Sequence, residues 1–163
     1  MATDKNTAII EYLLECPEIA SNKVFFNYVN AKDNVTQIVT LANERLVDEP
    51  YVDGSVLKRY TFTIIEFRSM TDLALPKEAG LTGENVDDLL DVQGVIDWID
   101  EQNDNRNFPD FGEDNIVESV LALTDNPDLN GVDTNIAPAL AKYSISIRVE
   151  YLDISKTLWN KGD

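Results

Sequence analysis

The chain has 163 residues, the length of a single domain, and 44% of them are hydrophobic, enough for one ordinary core. Thirty acidic residues against thirteen basic ones, with no histidine, give a formal charge of −17, which argues against binding nucleic acid or anionic lipid through a broad basic surface. The single cysteine, Cys16, rules out an intrachain disulfide and a cysteine-rich metal site.

The amino-terminal apolar stretch is interrupted by Glu11 and Glu15 and does not read as a signal peptide. No run approaches the roughly 18 apolar residues of a membrane span, so no membrane partner is expected and the chain is expected to be made in the cytoplasm. Residues 7–16 carry Ile9, Ile10, Leu13 and Leu14 at helical spacing, and Pro17 predicts the end of that helix. Over residues 23–29, Val24, Phe26 and Tyr28 alternate with Phe25 and Val29, which predicts a first strand. Residues 31–34 read as a turn, 36–41 as a second strand and 42–49 as an acidic loop.

The longest strand-like run lies within residues 50–69, after a turn at Asp53-Gly54. Tyr60, Phe62 and Ile64 fall on one side of the pleat and Thr61 and Thr63 on the other; Ile65 and Phe67 then make the second side apolar too. This pattern predicts a central strand that starts with one wet face and ends covered on both, or one that carries a bulge. Residues 72–83, with Pro76, Gly80 and Gly83, read as a connection. The strongest helix is expected over residues 84–103, where Leu89, Val92, Ile96 and Ile99 recur at helical spacing flanked by Val86 and Val95. Glu84, Asp87 and Asp88 suit the positive end of its dipole, and Trp98 reads as core or interface rather than a ligand platform.

A loop around Pro109 and Gly112 follows, then a strand over 115–123 and a loop over 124–135. Residues 141–154 alternate Tyr143, Ile145, Ile147, Val149 and Tyr151 against Ser144, Ser146, Arg148 and Glu150, so one face is buried and the other wet. The local likeness of KRYTF (58–62) to AKYSI (141–145) places both strands in one antiparallel sheet. The expected fold class is α+β: one domain over residues 1–163, with a mainly antiparallel sheet of about four to five strands packed by two helices.

Catalytic chemistry finds little material. Without histidine, Ser-His and Cys-His nucleophile schemes cannot be assembled, and neither GxGxxG nor GxxxxGK[ST] occurs. The expectation is no enzyme. Asp128, Asn130, Asp133 and Asn135, or Asp100, Asp104 and Asp110, offer oxygen ligands of the kind Ca²⁺ takes, but neither set matches an EF-hand loop. No metal and no cofactor is assigned. Phe108 and Phe111 lie in a polar loop and read either as a local plug or as contacts for a neighbour. Leu158 and Trp159 lie in a polar carboxy-terminal end that either docks on the body or engages a partner. These four are the candidate interface residues.

Four segments, PYVDGSVLKRYTFTIIEF (50–67), DVQGVIDWIDEQNDNRNFPDFG (91–112), ALTDNPDLNGVD (122–133) and AKYSISIRVEYLDISK (141–156), resemble those of small minor capsid or tail proteins from prophages of Gram-positive bacteria. These are similar in layout to the tail terminators of tailed phages. The resemblance implies a small α+β domain that assembles with itself as a ring, commonly a hexamer, at the head-proximal end of the tail tube. There it would stop tube growth and meet both the tail tube protein and the head-tail connector, a place in the virion neck with no catalytic residues. Other positions in the particle, an assembly factor, or an acidic binding module outside viruses remain open on the residues alone.

Overall fold

The computed structural model describes residues 4–40, 49–71 and 84–157. In chain order these form α1 (Lys5–Leu13), α2 (Pro17–Ala20), β1 (Lys23–Phe26), β2 (Val35–Thr40), β3 (Glu49–Pro50), β4 (Val56–Ser69), α3 (Glu84–Asp104), β5 (Asn115–Ala122), β6 (Asp128–Asp133) and β7 (Leu140–Asp153). The strands make one sheet in the order β1-β2-β4-β7-β5, with β3 added to β4 and β6 added to β7. The fold is α+β, and every strand pair is antiparallel except β1 with β2.

The expected central strand is central. β4 pairs with β7 without a register break from Val56 opposite Asp153 to Ser69 opposite Leu140. On one face Phe62 and Ile64 of β4, Ile145, Ile147 and Val149 of β7 and Ile38 of β2 pack against Ile9 and Leu13 of α1, Ile19 of α2 and Val92, Ile96 and Ile99 of α3. On the other face Ile65 and Phe67 join Val35 and Leu140 in a smaller buried cluster. Thr61 and Thr63 on that same face are only half-buried, so β4 passes from one covered face to two without a bulge.

Several boundaries differ from expectation. Pro17 does not simply stop a helix over 7–16: α1 ends at Leu13, and Pro17 opens the one-turn α2, because a first helical position needs no N–H. β1 stops at Phe26 rather than continuing to residue 29, because Asn27 turns left-handed at φ 60 and uses its Oδ1 to accept from the Thr40 amide at 3.1 Å. A four-residue strand is about 13 Å long, so the eight-residue return from Phe26 to Val35 suffices to set β1 parallel to β2. In α3 the buried stripe is Val92, Val95, Ile96 and Ile99, whereas Leu89 is exposed together with Leu90.

The loop expected over residues 124–135 contains β6, and with β3 the sheet reaches seven strands. Asp128, Asn130, Gly131 and Asp133 are turn-forming residue types, yet β7 supplies the backbone partners, and an outer strand exposed along its whole length needs no apolar alternation. The expected loops over 42–49 and 72–83 lie almost wholly outside the described residues.

Two substitutions test this packing. Phe62→Ala is expected to cost about 3–5 kcal/mol by urea denaturation, the usual cost of emptying a large buried aromatic site. Gly54, at φ +89, has the Lys156 carbonyl oxygen 2.7 Å from where a Cβ would stand, so Gly54→Ala is expected to lose roughly 1–3 kcal/mol in the same measurement. Wild-type stability in either variant would contradict the packing described.

Candidate functional site

The loop after α3 places the two aromatic candidates differently. Phe111 is 1% exposed and stands edge-on to Tyr60 and Tyr151, with ring centroids 5.8 and 5.3 Å away. Lys5 holds its ammonium 5.9 Å over the Phe111 ring. Phe111 is therefore a core plug and not a contact residue on the surface, which corrects its candidacy as interface. Phe108 is half-buried against the same core, with the Arg106 guanidinium 5.6 Å over its ring. Leu158 and Trp159 lie outside the described residues. Trp98 stacks obliquely on Tyr12 at 5.1 Å and belongs to the helix-side packing.

One acid from each oxygen-rich set is engaged within its own turn. Asp133 caps its own turn by accepting from the Asn135 amide at 2.9 Å, and Asp110 accepts from the Gly112 amide at 2.9 Å. Among the described residues no three His, Cys, Asp or Glu side chains come together in a way that could hold a metal ion. Cys16 is fully buried, donates to Glu18 at 3.2 Å, and burial pushes its thiol up to about 12, so it is not a nucleophile.

A buried polar network was not anticipated. Glu66 continues the inward phase of β4 after Phe62 and Ile64 and is 0% exposed. Its carboxylate accepts from Thr36 at 2.6 Å and from Asn22 at 3.0 Å, and Arg68 lies 3.5 Å away. Arg68 in turn donates to the Asn34 side chain. Burial pushes the Glu66 carboxyl up to about 7, against the Thr36 hydrogen bond and the Arg68 charge, which pull it down. An open cleft of about 460 Å³ lies above, lined by Pro17, Glu18, Ser21, Asn22, Asn34, Arg68 and Asp91. Since no surface of Glu66 reaches it, the network ties the α2–β1 connection to β2 and β4 rather than offering an acid to a substrate. The available signal was a Glu in register with an apolar face.

The other distinctive region is the sheet margin built by residues 115–139. Ile116, Leu121, Leu123, Leu129, Val132 and Ile136 are all exposed there; Ile116 and Leu121 lie opposite Leu152 and Arg148 on the outer face of the sheet, whereas Leu129 and Val132 lie opposite Tyr143 and Ala141 on its helix side. Between Glu84 and Ala141 the chain carries fifteen Asp or Glu and a single basic residue, Arg106. Asp100 of α3 shows the resulting field: burial and its neighbours Asp97, Asp104 and Asp125 raise its carboxyl above the usual range. Thus an acidic, partly apolar margin, rather than a reactive centre, is what this surface presents. No helix among the described residues is long and apolar enough to cross a membrane. No protein-family model matches the chain, and no curated protein matches it.

The Glu66 network makes stability depend on pH. An unfolded Glu66 takes its proton near 4.5 and the folded one near 7, so between those values the folded state binds more protons and acidification stabilises it. Asp153 acts oppositely at lower pH: burial raises its carboxyl, but hydrogen bonds from Lys58 and Ser155 outweigh that and hold it down to about 2, so its contribution is lost only as pH falls below 3.8. The urea midpoint of the wild type is expected to rise from pH 8 to pH 5, and Glu66→Gln should flatten much of that rise. Equal pH slopes in both proteins would contradict the assignment.

Proposed function

We propose that this chain is a structural protein of a tailed-phage particle, acting as a tail terminator: a ring of copies, commonly six, at the head-proximal end of the tail tube that stops tube growth and meets the head connector. The observation that carries the reading is the group of exposed apolar side chains along the margin formed by residues 115–139, since apolar surface left open on both faces of a sheet margin suits contact with other proteins. The four segments that carry the resemblance also fall on one continuous part of the fold. They contain most of β4, the greater part of α3, the β5–β6 turn with β6, and nearly all of β7, which are neighbours in the sheet or packed on it.

The charge fits a protein that lies near DNA without binding it. With a formal charge of −17 per copy, a ring presents acidic side chains that repel phosphate. A head-completion protein, a tube-related part or an assembly factor would share these properties and differ in copy number and neighbours.

Cryo-electron microscopy of the particle carrying this protein is the test. One ring of density between tail tube and connector is expected. Density along the tube, within the head or nowhere in the mature particle would overturn the terminator assignment in favour of those other roles. In dilute solution, a terminator of this kind is expected to sediment as a monomer or weak oligomer and to become ordered only on a tube end.

A further inference from the structure

The two strands on the far side of β7 are treated differently by the rest of the fold. The β5 margin is covered: Asn103 of α3 accepts from the Val120 amide at 3.0 Å, and Gln93 of α3 donates to the Asp125 carbonyl at 2.9 Å. Among the described residues the β6 margin is bare. All six of its residues are exposed, and among the described residues β7 is its single partner strand. Its other side leaves backbone groups as a template for a further strand, interrupted by a bulge between Leu129 and Val132, where Gly131 has φ 136.

The side chains of β6 have the same character. Leu129 and Val132 stand opposite Tyr143 and Ala141, on the face that is core elsewhere in the sheet, yet they are 48% and 42% exposed. An open cleft of about 630 Å³, lined among others by Ser69, Met70, Val132, Ile136 and Pro138, lies at the β4 end of this region, across β7 from the free edge of β6. An added strand therefore finds backbone partners and two apolar side chains on one face.

Charge selects the occupant. Asp125, Asp128 and Asp133 flank the strand, and no Lys or Arg occurs between Arg106 and Lys142. Lys142 of β7 lies on the same face as Asp128 and Asp133 and offsets one of them. A second copy is a poor fit: two-fold pairing of β6 with itself would bring Asp128 of one copy toward Asp133 of the other, between chains that each carry −17. We infer that the free edge of β6 docks an extended segment of another protein in which basic and apolar residues alternate, adding it to the sheet as a strand. This inference stands independently of the terminator assignment.

The probe is an acetylated peptide of about ten residues in which Lys and Val alternate, titrated into the full-length ¹⁵N-labelled protein at about 0.15 M salt. A second peptide of equal charge, with two of the Val replaced by Pro, retains the electrostatic attraction but cannot complete a ladder. Amide shifts confined to residues 127–136 are expected, with binding at least about tenfold weaker for the Pro peptide. A similar weakening of at least about tenfold is expected for the Leu129→Lys, Val132→Lys double variant, whose changes are on exposed positions. Equal binding of both peptides would overturn the inference, because charge alone would then account for it. Shifts spread over the acidic face of α3, no shifts at all, or the same β6 shifts produced by raising protein concentration without peptide would overturn it as well.

Discussion

The fold depends on the pairing of β4 with β7. Fourteen consecutive residues of each strand face one another, from Val56 and Asp153 at one end to Ser69 and Leu140 at the other. Everything else attaches to this ladder. β2 and β3 extend it beyond β4, β5 and β6 extend it beyond β7, and the three helices close one face of it. Phe62 and Ile64 on β4 and Ile145 and Ile147 on β7 are fully buried, so the longest hydrogen-bonded pair also forms the middle of the core. The ion pair of Lys58 with Asp153, at 2.6 Å, closes one end of the ladder, and the Gly54 turn packs nearby against the Lys156 backbone.

Around this pair the polar groups divide by burial. Glu66 and Arg68 sit inside, where each carboxylate oxygen of Glu66 has a hydrogen-bond donor in Thr36 or Asn22, and they join the α2–β1 connection to the sheet. Half of the thirty acids lie between Glu84 and Asp133. α3 and the β5–β6 margin therefore form an acidic side that also exposes apolar residues, whereas Lys58, Arg59 and Arg148 occur on the central strands. Selective contact with a basic partner is a property that this division can produce without any reacting group.

The central elements are legible in the sequence because their burial is one-sided or their helical stripe is strong. The alternation from Tyr143 to Tyr151 marks β7, and Val92, Ile96 and Ile99 mark α3. The change at Ile65 and Phe67 likewise marks where β4 becomes covered on both faces. β6 is illegible for a physical reason: its strand state comes from the β7 backbone, while its own residues are turn formers. Pro17 misleads because the same missing N–H that ends one helix is harmless at the start of the next. Phe111 shows the limit of reading aromatics in polar loops, since only the folded positions of Tyr60 and Tyr151 reveal that it plugs the core. Glu66 was visible as a charge in an apolar phase, but its donors come from residues 22 and 36, far away in the chain.

Residue-by-residue amide hydrogen exchange on the free protein tests most directly whether a firm central pair carries an open docking margin. Amides that bond across β4 and β7 are expected to exchange only through global unfolding, while outward-facing amides of β6 exchange orders of magnitude faster. Protection of β6 equal to that of β4 and β7 would contradict an open margin and show that its edge is already covered in the free protein.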